Sequence, residues 1–202
     1  MVQDPGILKD LYPGIGEGEM STVHFIVHHR RYCKAGSMKL RKWLVTSVDT
    51  GQWMIILLAM GTGKIVAEGS DAVNVTVARH VRSTVEYLHV NRIFRAIAGL
   101  TEIGEHASWP SELPTWLDNG AKAVLFVLVF VLSGCDFLPA IVKCPFLLVW
   151  ESLLRGLAVQ GYFGEIVSRD PNGHIKVNED EAVKIIALTY FYRDRHAFPL
   201  TW

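Results

Sequence analysis

Between Glu19 and Tyr32, Met20, Val23, Ile26 and Val27 recur at helical spacing, so the chain begins its regular structure with a helix. Trp43–Val48 (WLVTSV) reads as a short buried strand that ends at Asp49. Trp53–Met60 (WMIILLAM) fits a second strand or a short buried helix, because period alone does not separate the two in so short a run. Gly61-Thr62-Gly63 then turns the chain into Lys64–Ala67, and Val73–Ala78 alternates well enough for another strand.

Asn91 is placed to cap a helix carrying Ile93, Phe94, Ile97 and Leu100. Residues 101–120 read as a loop, followed by an apolar helix over 121–132. Pro145 suits the first turn of another helix, with Phe146, Val149, Trp150, Leu153 and Leu157 inward and Gly161 as a stop. Ile166–Val167 and His174–Val177 flank Asp170-Pro171-Asn172-Gly173, whose Asn-Gly step predicts a hairpin. Asn178 and Glu181 resemble a capping box opening a last helix through Tyr192, and Glu179, Asp180 and Glu181 sit where the helix dipole favours negative charge. Strands and helices alternate, which predicts an α/β fold.

Half of the 202 residues are apolar and mean hydropathy is +0.24, which excludes a disordered chain. The length allows a single domain or one lobe of a larger domain. Twenty basic residues balance twenty acidic ones, which excludes a histone-like or tail-type nucleic-acid binder but not a local basic patch. Three cysteines, Cys33, Cys135 and Cys144, are too few and too odd for a secreted disulfide framework. With no signal peptide at Met1–Tyr12, an intracellular setting, nuclear or cytoplasmic, is expected. Ala123–Cys135 holds 13 residues between Lys122 and Asp136, against about 20 for a membrane-spanning helix. Extending it to Trp150 buries Asp136 and Lys143, at about 2.5–3.5 kcal/mol each. A core helix apolar on all sides is the expected reading, and a membrane-associated protein anchored through 123–150 is the remote alternative.

Three places join carboxylates to backbone features of a site. Gly16-Glu17-Gly18-Glu19 enters a helix, where gathered negative charge is tolerated. Asp49 directly follows a strand, and ligands of open parallel sheets bind beyond the strands' carboxyl ends. Asp136 follows a thirteen-residue, largely apolar run and must be at a surface, paired, or bound to a cation. Each of these acids also reads as a cap or a solvated loop residue, and spacing does not make them converge. If they do, their repulsion calls for hard divalent cations, Mg²⁺ or Mn²⁺, which support phosphodiester hydrolysis.

Pro13–Ile26 (PGIGEGEMSTVHFI) resembles the acidic Gly-Glu-x-Glu element of the flap-endonuclease and 5′–3′ exoribonuclease superfamily. Val45–Gln52 (VTSVDTGQ) is similar to its Asp-x-Asp strand, and Leu132–Pro139 (LSGCDFLP) to its late Gly-x-Asp-Tyr/Phe-x-Pro element, in the same order. The tail Ile166–Ile185 looks more like the exoribonuclease branch. The resemblance implies a PIN-like three-layer sandwich with a mainly parallel central sheet, incomplete at its N-terminus. It also implies metal-binding, catalytic carboxylates at Glu17, Glu19, Asp49 and Asp136, acting on DNA or RNA in the manner of a 5′-nuclease. Gly51 stands where the family has a second Asp, and the family's earlier Asp-bearing lobe has no counterpart here. A non-catalytic remnant that still binds nucleic acid or a protein is therefore the alternative.

Arg30, Arg31, Lys34, Lys39, Arg41 and Lys42 belong to a basic stretch suited to phosphate contacts, and equally to a solvated helix end and loop. His28, His29 and Cys33 lack a second Cys/His pair at zinc-ligand spacing. Gly61-Thr62-Gly63-Lys64 lacks the flanking residues of a phosphate-binding loop and reads as a hairpin turn. Cys135 reads as a buried structural thiol rather than a nucleophile.

Overall fold

The computed structural model describes residues 18–32, 42–49, 51–99, 109–134, 144–171 and 175–195. Contacts divide the chain into two compact units, residues 1–95 and 96–202. Among the described residues it holds six helices and a small mixed sheet of three strands, together with a separate two-stranded hairpin. The α/β class expected from the sequence holds. The sheet is not mainly parallel, because one of its two pairings is antiparallel.

The first unit runs α1 (Gly18–Tyr32), β1 (Lys42–Ser47), α2 (Gly51–Gly61), β2 (Asn74–Val81) and β3 (Thr84–His89), and enters α3 (Val90–Ala98). Val23 and Ile26 supply the buried stripe of α1. β1 pairs parallel with β2, and β2 antiparallel with β3, in the order β1-β2-β3. Parallel neighbours require a crossover, and α2 supplies it. That settles the ambiguous Trp53–Met60 run as helix. Ile56 and Leu57 are wholly buried there, each contributing about 1.5–3 kcal/mol.

The Gly61–Gly63 segment caps α2 instead of turning a hairpin. The Thr62 amide donates to the Leu58 carbonyl at 2.8 Å and the Ile65 amide to the Ala59 carbonyl at 3.0 Å. Gly63 takes the left-handed φ of +75° that this reversal needs. β1 is half-exposed rather than buried: its residues alternate between the two sheet faces, and Leu44 is 65% exposed.

Asn91 does not cap α3 from outside, since the helix already includes it. Its buried side chain ties the loop to the sheet. Oδ1 accepts the Val75 amide at 2.8 Å, while Nδ2 donates to the Val73 and Ala67 carbonyls at 2.9 and 3.0 Å. A buried amide is tolerable only when so satisfied.

The second unit contains α4 (Asn119–Leu132), α5 (Phe146–Ala158), the hairpin β4 (Val167–Arg169) with β5 (Ile175–Val177), and α6 (Glu179–Arg195). Asp118 caps α4 by accepting the Ala121 amide at 2.7 Å. From Ala121 to Leu132 no residue is fully exposed, and Ala123, Leu125 and Val129 are sealed from solvent. The core-helix expectation therefore holds.

Phe126 of α4 meets Phe146 and Trp150 of α5 at ring-centre distances of 5.2 and 5.5 Å. Trp109, from the loop before α4, meets Trp150 at 5.2 Å, and its indole donates to the Ile97 carbonyl at 2.7 Å. The expected hairpin is present, with Val167 opposite Val177, while its turn residues 172–174 lie outside the described set. Asn178 Oδ1 accepts the Asp180 and Glu181 amides. Glu181 turns instead to the Gly164 amide and the Lys184 ammonium, both at 2.7 Å. Those two bonds, Lys184 first, hold its carboxyl below the ordinary value.

Candidate functional site

The carboxyl end of β1 is built from short-range chemistry. Ser47, the last residue of the strand, accepts the Asp49 amide on Oγ at 3.0 Å, which bends the chain out of the sheet. Asp49 Oδ1 then accepts the Gly51 amide at 2.7 Å, satisfying one of the unpaired donors at the start of α2. The bond lies at the positive end of the helix dipole, which favours a carboxylate. Asp49 is thus where the sequence puts it, directly after the first parallel strand.

α1 approaches the same rim. Thr22 Oγ1 donates to Gln52 Oε1 of α2 at 3.5 Å. Further along α1, Phe25 at its middle and His29 in its last turns pack edge-on against Trp43, near the start of β1, at 5.6 and 5.2 Å. α1 therefore runs counter to β1, and the N-termini of α1 and α2 both lie towards the carboxyl end of that strand. Glu19, on the first turn of α1, is one turn before Thr22. Its backbone therefore lies at the end of α1 that meets the start of α2, although nothing in the local sequence demands that meeting.

Gly51 bears on the chemistry of this rim. A Cβ added there would stand 3.4 Å from Asp49 Oδ1. A second acid at 51 would bring two carboxylates together, an arrangement that a cation relieves. With glycine, the Asp49 carboxylate accepts a backbone amide and, among the described residues, bonds to nothing else. It keeps acceptor capacity for a hard cation, and its oxygen chemistry fits Mg²⁺ or Mn²⁺. Among the described residues no three His, Cys, Asp or Glu side chains gather in a way that holds a metal ion.

The remaining expected positions divide by where they fall. Glu17, Asp136, Lys34, Lys39 and Arg41 lie outside the described residues, as do Cys33 and Cys135. Arg30 and Arg31 belong to the last turns of α1, and Lys42 is an exposed residue opening β1. His29 is committed to the Trp43 contact, so an aromatic cluster accounts for it better than zinc does. Cys144 is a buried thiol.

Sequence reasoning missed the Thr22–Gln52 contact, which carried no signal beyond two polar residues near helix starts. It also passed over β3, whose turn is Arg82-Ser83. Arg82 adopts a φ of +54° there, without the glycine or asparagine that marks such turns. No described helix is long and apolar enough to cross a membrane, so the proposed anchor through 123–150 finds no spanning helix. At about 1.5 Å per residue, the fourteen residues of α4 reach roughly 21 Å against a hydrocarbon core of about 30 Å. Comparison with protein-family models, with curated proteins and with solved structures finds no match to this chain.

Proposed function

We propose that this chain is part of a metal-dependent phosphodiesterase of the 5′-nuclease type, acting on DNA or RNA, with Asp49 and Glu19 among its metal carboxylates. The observation that supports the reading is the shared rim. Two helix N-termini and an acid-ended parallel strand meet at the carboxyl end of β1, the usual ligand position of an α/β unit. The resemblance in Pro13–Ile26, Val45–Gln52 and Leu132–Pro139 adds Glu17 and Asp136 to the set and a PIN-like fold to the expectation. Mg²⁺ or Mn²⁺ would supply a water activated near neutral pH and charge stabilisation for the leaving oxygen. The chain's own part is to orient the carboxylates: the Ser47 and Gly51 bonds fix Asp49 at the end of its strand. The basic residues from Arg30 to Lys42 would hold the phosphate backbone without reading sequence.

The test is hydrolysis of labelled single-stranded and duplex substrates by the full chain with Mn²⁺, with EDTA, and as Asp49→Asn. Activity abolished by EDTA and by Asp49→Asn is expected, with Mn²⁺ affinity reduced about tenfold or more in the variant. Activity indifferent to both ends the reading, and Asp136→Ala tests the late acid separately. A second reading, a non-catalytic remnant, is favoured by Gly51, which leaves Asp49 bonded to a backbone amide where the family has a paired acid. Calorimetric titration with Mn²⁺ separates the two: a remnant binds the ion weakly or not at all, and hydrolyses nothing.

A further inference from the structure

The sheet of the first unit has two faces of opposite character. Register puts Trp43, Val45, Val75, Val77 and Leu88 on one face, which is buried or half-buried. The other face carries Lys42, Leu44, Thr76, His80, Tyr87 and His89. On it, Leu44 is 65% exposed, Tyr87 61% and Val85 41%, while Ala78 is buried. Leu44, Thr76 and His89 form one row across the three strands, with Thr76 Oγ1 and His89 Nδ1 3.0 Å apart. The next row is Thr46, Ala78 and Tyr87, so the ring's cross-strand neighbour is only a methyl group.

Among the described residues of the three strands, no Asp or Glu lies on this open face. Glu86, the one acid in β3, has the opposite parity and pairs with Arg79 at 2.9 Å. Lys42, exposed at the start of β1, is the one Lys or Arg among the described strand residues of this face. Ala78, Val85 and Tyr87 are bordered by Thr46, Thr76, His80 and His89, so the apolar patch is small and ringed by polar groups, unlike the extended apolar centre typical of a protein interface. An aromatic plate, hydrogen-bonding groups on neighbouring strands and positive charge without negative charge match an unpaired nucleic-acid strand.

We propose that this open sheet face binds single-stranded nucleic acid, with Tyr87 stacking on a base, Thr76 and His89 meeting base edges, and Lys42 contacting a phosphate. The proposal goes beyond the phosphodiesterase reading, shares only Lys42 with its basic stretch, and stands without it because none of these residues belongs to the carboxylate set.

The experiment is fluorescence anisotropy of labelled single strands of about 12 nucleotides, RNA and DNA, titrated with the full chain in EDTA. Saturable binding is expected. Tyr87→Ala weakens it about tenfold, while Tyr87→Phe, which keeps the ring, retains it. Lys42→Ala lowers the dependence of log affinity on log salt by about 0.7. The exposed Leu147→Ala, which lies in the other unit, binds as wild type, and because the titration is run in EDTA, failure of the metal reading leaves this one untouched. Circular dichroism of each variant checks the fold. The proposal is overturned if wild type binds neither strand, or if Tyr87→Ala binds as tightly as wild type. It is also overturned if sedimentation shows self-association through this face, abolished by Leu44→Ala and Tyr87→Ala with oligonucleotide affinity unchanged.

Discussion

Gly156 shows how one position reverses a general rule. Glycine inside a helix ordinarily costs about 1 kcal/mol relative to alanine. Here a Cβ would come within 2.2 Å of Phe163 Cε2 and 3.0 Å of Leu188 Cδ2, so the missing side chain is what lets the Phe163 ring, and behind it α6, pack on α5. Gly156→Ala is expected to destabilise the protein by about 1–3 kcal/mol, as overpacking does. A urea titration checks it through a lower midpoint at an unchanged slope. A midpoint that stays or rises means that Phe163 moves aside freely. The sequence offered no hint of this role, because a lone glycine in a helical pattern reads only as a weak spot. Asn91 carries the same lesson. Its residue type suggested a cap, whereas the fold surrounds it with one amide and two carbonyls that need partners.

Element ends depend on contacts from well separated parts of the chain. Asp118 caps α4 and also accepts Arg169 of β4 at 3.1 Å. Partial burial raises its carboxyl, but the Ala121 amide, Arg169 and the Gly120 amide outweigh that and hold it below the ordinary 3.8. Because the folded value is the lower one, this carboxylate contributes stability above the unfolded value, and the contribution is lost as pH falls below it. Asp118→Ala is expected to cost about 1 kcal/mol near neutral pH through the lost cap. The gap between variant and wild type should narrow as the solution is acidified below pH 3.8, in urea titrations across that range. A gap constant with pH removes the charge from the account. The sequence reading placed Asp118 in a loop and named neither the cap nor its partner 51 residues away.

On the scale of the whole molecule, α4 distinguishes a buried core from an anchoring segment. Leu125 is wholly buried and Leu147 is 67% exposed. Leu125→Ala is expected to lower unfolding free energy by about 2–5 kcal/mol and Leu147→Ala by less than about 0.5 kcal/mol. Equal effects in thermal or urea unfolding would contradict the packing described. The candidate site is legible at this scale only in part. Asp49 was visible as an acid ending a strand. That the start of α1 meets the start of α2, just beyond Asp49, follows from how the two helices pack, which neither element states alone.

By itself the sequence determined the local identities: helices at α1, α4, α5 and α6, the strands β1 and β2, the β4–β5 hairpin and the acid-ended strand. These follow from periodicity and end chemistry within about ten residues. Only the tertiary structure decided that Trp53–Met60 is a crossover helix, that β3 joins the sheet antiparallel, that one sheet face stays open, and that Gly156 must be small. Such choices are set by partners distant along the chain. A strand's neighbours and a helix's clearance are properties of the packed chain, and no window of sequence contains them.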